Sequence, residues 1–241
     1  MTWDYDPAKD LGLPPNERWK SLRREPGFGE TAISHAWWGA AKAWLAVRQR
    51  LTIEGRPSIP RDPPFLLVAN HTSHLDALVL GAAVPARLRA RTFPIAAGDT
   101  FFETPVTAAL SATLLNALPM WRKRCGPHAM EELRARLVGE PCNYLLFPEG
   151  TRARDGKLAR FKPGVGMLVA ATDVPVVPCW IAGAYEAWPP EARRPRGGRV
   201  TLRIGEPMRF ADLPDERTGW ETVASRLHAA VEALDPAKGA G

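Results

Sequence analysis

Cysteine is scarce: the 241 residues hold three, Cys125, Cys142 and Cys179. Three thiols at these spacings build neither a disulfide framework nor a set of metal ligands. They suit a reducing compartment, the cytoplasm. Long apolar runs are missing too. No stretch of about 18 uncharged apolar residues occurs, so the sequence predicts no membrane span. The nearest approach, Val106 to Trp121, is interrupted by Thr107, Ser111, Thr113, Asn116 and Pro119. The segment Met1 to Asp10 lacks the basic-then-apolar order of a signal peptide. Internal repeats and low-complexity tracts are absent. So is the Gly-x-Ser-x-Gly elbow that presents a nucleophilic serine.

What the chain does have is an ordinary globular balance, with 45% hydrophobic and 24% charged residues. That is enough apolar material for one substantial core. Lys and Arg number 32 against 26 Asp and Glu, a net charge of +6. A basic surplus suits an anionic partner: nucleic acid, an anionic membrane or a phosphorylated substrate.

Residues 1–30 are rich in Pro, Gly and charge without periodicity, and read as an extended or loosely ordered arm. Residues 31–50 read as an amphipathic helix, because Ile33, Trp37, Ala40, Ala41, Trp44 and Val47 recur at helical spacing. From residue 51 to 241 strands alternate with helices. Phe65 to Ala69 reads as a buried strand bounded by Pro63 and Pro64. Arg91 to Ala96, Tyr144 to Phe147, Val174 to Ile181 and Val200 to Ile204 follow as strands. Pro175 and Pro178 place part of the third of these at an edge or a bulge. Helices are expected after His71, over Thr100 to Asn116, from Pro127 to Gly139 and from Gly219 to Leu234. The alternation predicts an α/β fold: a single sandwich around a largely parallel sheet flanked by helices, preceded by the amphipathic helix.

Two constellations carry chemistry. Asn70-His-Thr-Ser-His-Leu-Asp76 stands where a strand ends and a helix begins, the place where open α/β sheets bind ligands. A histidine base must be held in one tautomer, and a carboxylate can take its second N–H. His71 and Asp76 suit that pairing, with His74 read as a packing or capping residue. Phe147-Pro-Glu-Gly-Thr-Arg152 follows a buried strand and leads into the basic loop Arg152, Arg154, Lys157, Arg160 and Lys162. Gly150 permits close backbone approach, and Arg152 offers a planar fork for a phosphate.

Together the two blocks resemble the glycerophosphate and lysophosphatidic acid (1-acyl-glycerol-3-phosphate) acyltransferase family. The Asn-His-x-x-x-x-Asp block is matched at Asn70, His71 and Asp76, and the Phe-Pro-Glu-Gly-Thr-Arg block at Phe147 to Arg152. An apolar block with prolines is matched by Val174 to Pro178. In Asn116-Ala-Leu-Pro-Met-Trp-Arg122, Asn116 and Pro119 replace the family's usual Gly and Phe, and Arg122 is retained. The resemblance implies an acyltransferase domain over residues 51–241. It implies transfer of a fatty acyl group from a coenzyme A or acyl carrier protein thioester to a hydroxyl of a lysophospholipid-like acceptor. In that reading His71 is the general base and Asp76 orients it. Arg122, Glu149, Gly150, Thr151 and Arg152 bind the acceptor and its phosphate, with Lys162 a further anion contact. The acyl thioester is a co-substrate, and no metal or other cofactor is implied.

The same chemistry on a non-glycerolipid acceptor, and a non-catalytic lipid- or acyl-carrier-binding module, are the alternatives. Trp37, Trp38 and Trp44 with Lys42, Arg48 and Arg50 suit an interfacial helix. Peripheral contact with an anionic membrane at its cytoplasmic face is therefore expected, with acyl carrier protein as the soluble candidate partner and no nucleic acid.

Overall fold

Short apolar runs punctuated by proline and glycine build an α/β sandwich around a mostly parallel sheet. The computed structural model describes residues 9–121 and 127–238, so Arg122 and Cys125 lie outside the described residues. In chain order the elements that matter are α1 (Pro15–Arg18), α2 (Phe28–Arg48), β1 (Thr52–Glu54), β2 (Phe65–Ala69), α3 (Asp76–Ala83) and β3 (Thr92–Ala97). There follow α4 (Gly98–Phe101), α5 (Pro105–Leu115), β4 (Leu118–Met120), α6 (Pro127–Gly139) and β5 (Asn143–Leu146). The chain continues with α7 (Gly164–Val169), β6 (Val176–Ala182), α8 (Ala184–Ala187), β7 (Thr201–Ile204) and α9 (Arg217–Ala233).

The strand order is β1-β7-β6-β2-β5-β3-β4. Each neighbouring pair is parallel except β6 and β7. The carboxyl ends of β6, β2, β5, β3 and β4 therefore share one edge. Both faces of β2 are buried, as a central parallel strand requires. Phe65, Leu67 and Ala69 pack against α2 and α3, while Leu66 and Val68 pack against α6, α7 and α9. This is the period-two alternation of a pleated strand with a core on each side.

Where expectation and structure differ, proline explains most of it. The single helix expected over 100–116 is two, α4 and α5. Pro105 cannot continue a helix, and Thr104 before it is extended and caps α5 by accepting the Thr107 N–H at 3.2 Å. Strand β4, which the pattern did not reveal, contains Pro119 and lies at the sheet edge, where a missing donor is tolerated. Strand β6 is not at an edge; it lies between β2 and β7. Pro178 lies opposite a bulge in the neighbouring segment, since Val176 faces Met208 while Cys179 faces Ile204, which leaves one extra residue among 205–207.

The long helix α2 starts at Phe28 and buries Ser34, Trp38, Ala41 and Leu45. Trp38 is 2% exposed and its six-membered ring meets Gly81 of α3, where a Cβ would come within 2.3 Å of the ring. The expectation that Trp37, Trp38 and Trp44 all face outward is therefore corrected: Trp38 belongs to the core, one residue out of phase with the stripe. The segment before α2 also differs from a loose arm. Arg24 is fully buried and donates from Nη2 to Asn116 Oδ1 at 2.7 Å, and its carbonyl accepts from Arg136 at 2.9 Å. Cys142 and Cys179 are free and buried, and burial pushes the Cys142 thiol up to about 11. Neither is a poised nucleophile.

Trp38→Ala opens a cavity between α2 and α3 that neither helix can close. It should cost about 3–5 kcal/mol, measured by denaturant unfolding, whereas Ile33→Ala on the exposed side of α2 should change stability by well under about 1 kcal/mol.

Candidate active site

Two loops meet at the carboxyl edge of the sheet: residues 70–75 after β2 and residues 147–162 after β5. They are neighbours because β2 and β5 pair, with Val68 opposite Leu146. Asn70 fixes the exit of the first loop. Its side-chain amide donates to Ile181 O at 3.0 Å and its Oδ1 accepts the Ile181 N–H at 2.7 Å. The amide thus extends the β2–β6 ladder past its end.

Asp76 opens α3 and is fully buried. Its Oδ2 accepts the N–H groups of Thr72 and Ser73, each at 2.7 Å, and lies 2.8 Å from His71 Nδ1. A carboxylate can only accept here, so Nδ1 carries the imidazole proton and Nε2 keeps a lone pair. The His71 ring stacks on Phe147, with centroids 4.3 Å apart and planes 19° from parallel. Its side chain remains 22% exposed, so the ring is held on one side and open on the other.

Glu149 is turned inward. One carboxylate oxygen accepts the backbone N–H of His71 at 2.6 Å and the other accepts that of Ala159 at 3.0 Å. This corrects its assignment to acceptor binding. Both its oxygens are taken by backbone N–H groups of the two loops, so neither is turned outward to an acceptor phosphate. Its role is to brace one loop against the other, aided by the Ala153 N–H, which donates to His71 O at 2.8 Å. Burial is the largest influence on Glu149 and pushes its carboxyl up to about 7; Asp76 and Asp155 push the same way, against the two backbone N–H groups.

The remaining residues of the second loop line its outer side. Gly150 has φ +75°, a conformation that favours glycine, and a Cβ there would lie 2.6 Å from Lys162 Nζ. Lys162 therefore lies over the Gly150 backbone. Thr151 is exposed and Arg152 half-buried. Arg152 rests against His74, which sequence spacing had marked only for packing or capping. Sequence also missed the segment from α8 to Pro190. Trp188 O accepts the Ser73 hydroxyl at 2.7 Å and so holds the first loop from outside. Nothing in the sequence pattern marks Trp188, because its contribution is a main-chain carbonyl.

These features fit what comparison with known proteins finds. The Acyltransferase family model matches residues 50–182, more than half of the chain, and the chain belongs to that family. The bovine (Bos taurus) 1-acyl-sn-glycerol-3-phosphate acyltransferase alpha is 29% identical over 170 residues, which is 69% of this chain and 57% of that protein. A chloroplastic 1-acyl-sn-glycerol-3-phosphate acyltransferase of Arabidopsis thaliana is 29% identical over 157 residues, 62% of this chain and 42% of that one. The chain thus spans about half the length of the curated relatives it matches. The crystal structure of the 1-acyl-sn-glycerophosphate (LPA) acyltransferase PlsC from Thermotoga maritima superposes with a TM-score of 0.62 at 28% identity, covering 85% of this chain and 79% of that one.

The brace makes a pH prediction. The folded-state pKa of Glu149 is raised, so its contribution to stability is full below about pH 4.5 and is lost as pH rises through about 7. Glu149→Gln cannot titrate. Between about pH 5 and pH 8 the wild type should lose up to about 3 kcal/mol relative to Glu149→Gln, measured by urea unfolding at each pH. Parallel curves for the two proteins would show that Glu149 ionises at an ordinary pH.

Proposed function

We propose that the chain transfers a fatty acyl group from an acyl thioester to the free hydroxyl of a lysophospholipid-like acceptor of the 1-acyl-glycerol-3-phosphate type. The observation that carries this reading is the 2.8 Å contact of His71 Nδ1 with buried Asp76, which leaves Nε2 as a base on the open side of the ring. The names of the relatives it resembles point to the same acceptor class.

In the proposed step, His71 Nε2 takes the proton of the acceptor hydroxyl as that oxygen attacks the thioester carbonyl carbon. The tetrahedral intermediate collapses, the C–S bond breaks, and the proton on His71 passes to the leaving thiolate. Asp76 stays ionised, holds the tautomer and offsets the imidazolium charge. No acyl-enzyme is formed, so no serine or cysteine nucleophile is called for. Arg152 and Lys162, with Thr151 beside them and Arg122 from the Asn116 to Arg122 block, are proposed to bind the acceptor phosphate through charge-assisted hydrogen bonds. Coenzyme A and acyl carrier protein thioesters are the donor classes, and the chemistry needs no metal or other cofactor.

The acyl product is poorly soluble, and α2 offers a surface for reaching it. Ile33, Ala36, Ala40, Ala43, Ala46 and Val47 are all exposed on this helix, and none is charged. Ile33 is 54% and Val47 76% exposed, with Trp37 and Trp44 half-buried between them. Helix α5, packed alongside through the Ser34 hydroxyl and Leu114 O, adds exposed Val106 and Leu110. Arg48 and Arg50 are exposed at the end of the helix; Lys42 instead lies half-buried near Arg89 and Arg56. No helix among the described residues is long and apolar enough to cross a membrane. We therefore assign α2 to peripheral contact with an anionic bilayer, an amphipathic attachment.

His71→Ala should lower kcat by about 10²–10⁴ without loss of the folded state, measured with an acyl-coenzyme A and 1-acyl-glycerol-3-phosphate and checked by circular dichroism. Asp76→Asn should also lower kcat, because an amide cannot offset the imidazolium charge. Near-normal turnover by His71→Ala would sink the assignment, and release of free fatty acid in place of acylated product would make the chain a hydrolase.

For the surface, co-sedimentation with vesicles should depend on anionic lipid and weaken with salt. Replacing exposed Ile33 and Val47 together with Ser should release the protein at unchanged melting temperature. Binding that is indifferent to both replacements would move the contact elsewhere.

A further inference from the structure

The loop after β5 carries more positive charge than the proposed acceptor site uses. Between Arg152 and Lys162, the side chains of Arg154, Lys157 and Arg160 are all exposed. None of the three makes a hydrogen bond or ion pair from its side chain to another described residue. The one carboxylate among them, Asp155, is turned to the main chain, where its Oδ1 accepts the Lys157 N–H at 3.1 Å. The backbone beneath these cations is fixed. The Ala153 N–H donates to His71 O at 2.8 Å and the Ala159 N–H to Glu149 at 3.0 Å, so both feet of the loop stand beside the base. The Tyr185 hydroxyl of α8 donates to Arg154 O at 2.6 Å. Gly156, at φ +73°, lies against the Tyr185 ring, where a Cβ would come within 2.9 Å of it. Like charges held together on one tethered loop repel, and an anion from outside the chain offsets that repulsion.

We propose that Arg154, Lys157 and Arg160 bind the phosphates of coenzyme A, the polar end of the acyl donor. This rests on the reading that an acyl thioester reacts beside His71. Coenzyme A carries a pyrophosphate and a ribose 3′-phosphate, and its pantetheine arm separates both from the thioester. With the thioester carbonyl beside Nε2, those phosphates must lie well away from the base. The loop suits that layout, because its feet are bonded next to His71 and its cations project from the stretch between and beyond them. The acceptor's phosphate is only a few bonds from the attacking hydroxyl, and so belongs with Arg152 and Lys162, which flank the loop. Guanidinium forks and an ammonium group bind phosphate oxygens through charge-assisted hydrogen bonds. A carrier protein would spread its carboxylates over a broad face, whereas the cations of one short loop match the compact charge of a nucleotide. Since the loop backbone is already held, less freedom is lost when the donor arrives.

The test uses the purified full chain, with 1-acyl-glycerol-3-phosphate as acceptor and two donors bearing the same acyl group, acyl-coenzyme A and acyl-pantetheine. Arg154→Gln, Lys157→Gln and Arg160→Gln combined should raise the KM for acyl-coenzyme A about tenfold, as a few surface charge contacts together do. The KM for acyl-pantetheine, which has no phosphate, should stay within about twofold, with kcat, acceptor KM and melting temperature near wild type. Arg61, Arg87 and Arg209 are exposed at the opposite edge of the sheet, before β2 and β3 and beside the start of β6. Changing these three to Gln removes the same charge and should leave the acyl-coenzyme A KM within about twofold. An equal rise in that control or with acyl-pantetheine, or no rise with acyl-coenzyme A, overturns the inference. A rise confined to acyl carrier protein thioesters also overturns it and makes the loop a protein-docking surface. Should the wild type turn over no acceptor, the functional reading fails, and titration calorimetry with free coenzyme A still decides the site. The triple loop variant should bind it about tenfold more weakly than wild type; equal binding, or none to wild type, overturns the site.

Discussion

One buried oxygen atom, Oδ2 of Asp76, holds the site in order. It accepts two backbone N–H groups and faces the imidazole of His71, all within 2.8 Å. A carboxylate removed from water costs several kcal/mol unless its partners replace the lost hydration; these three donors do so at Oδ2, while buried Oδ1 accepts no hydrogen bond from the described residues. Asp76 is also the first residue of α3, where the unpaired N–H groups of a helix favour negative charge. The loop from His71 to Ser73 is therefore wrapped around the carboxylate that the histidine needs. The four-residue gap between His71 and Asp76 is the length of chain that makes this wrap, so the spacing reflects backbone geometry as much as chemistry.

The second loop is bound to the first by groups that never need to touch substrate. Glu149 joins His71 and Ala159 through their backbone N–H groups, and Ala153 returns a hydrogen bond to His71 O. Phe147 supplies a flat surface for the imidazole. The block Phe-Pro-Glu-Gly-Thr-Arg thus divides in two. Phe147 and Glu149 support His71, while Gly150 and Arg152 shape the outer side. Gly150 is required on two counts: its positive φ, and the Lys162 ammonium that occupies the space of a side chain.

Much of this was legible in the sequence, for reasons that differ by element. Strands β2 and β5 are short apolar runs bounded by turn residues, and α6 begins at Pro127 as a helix start should. The pairing of His71 with Asp76 was legible because an imidazole and the carboxylate that takes its N–H must come from named residue types. The inward turn of Glu149 was not, since its partners are backbone N–H groups carrying no residue identity. The same holds for the carbonyls of Trp188 and Pro190 that fix Ser73 and His74. In α2 the periodicity located a helix but not its phase. Trp37 and Trp38 are adjacent, about 100° apart on the helix, and only the presence of Gly81 opposite decides which of them enters the core.

The position of α2 ties the site to the surface proposed to meet lipid. The helix ends at Arg48, whose carbonyl accepts the Gly198 N–H at 3.1 Å, while the Gln49 side chain donates to Arg196 O at 2.9 Å. Val200, which follows, donates to Gln49 O and leads into β7, whose first residue Thr201 faces Ala182 at the carboxyl end of β6. The end of α2 therefore lies on the same edge of the sheet as His71. Exposed Arg193, Arg194, Arg196 and Arg199 occupy the stretch between Pro190, which holds His74, and the end of the helix. One edge thus carries two chemistries, an uncharged helical face ending beside a rim of arginines, which suit the apolar chain and anionic head of the acceptor class proposed above. If α2 meets lipid as proposed, an acceptor can present its hydroxyl to His71 Nε2 without leaving the interface.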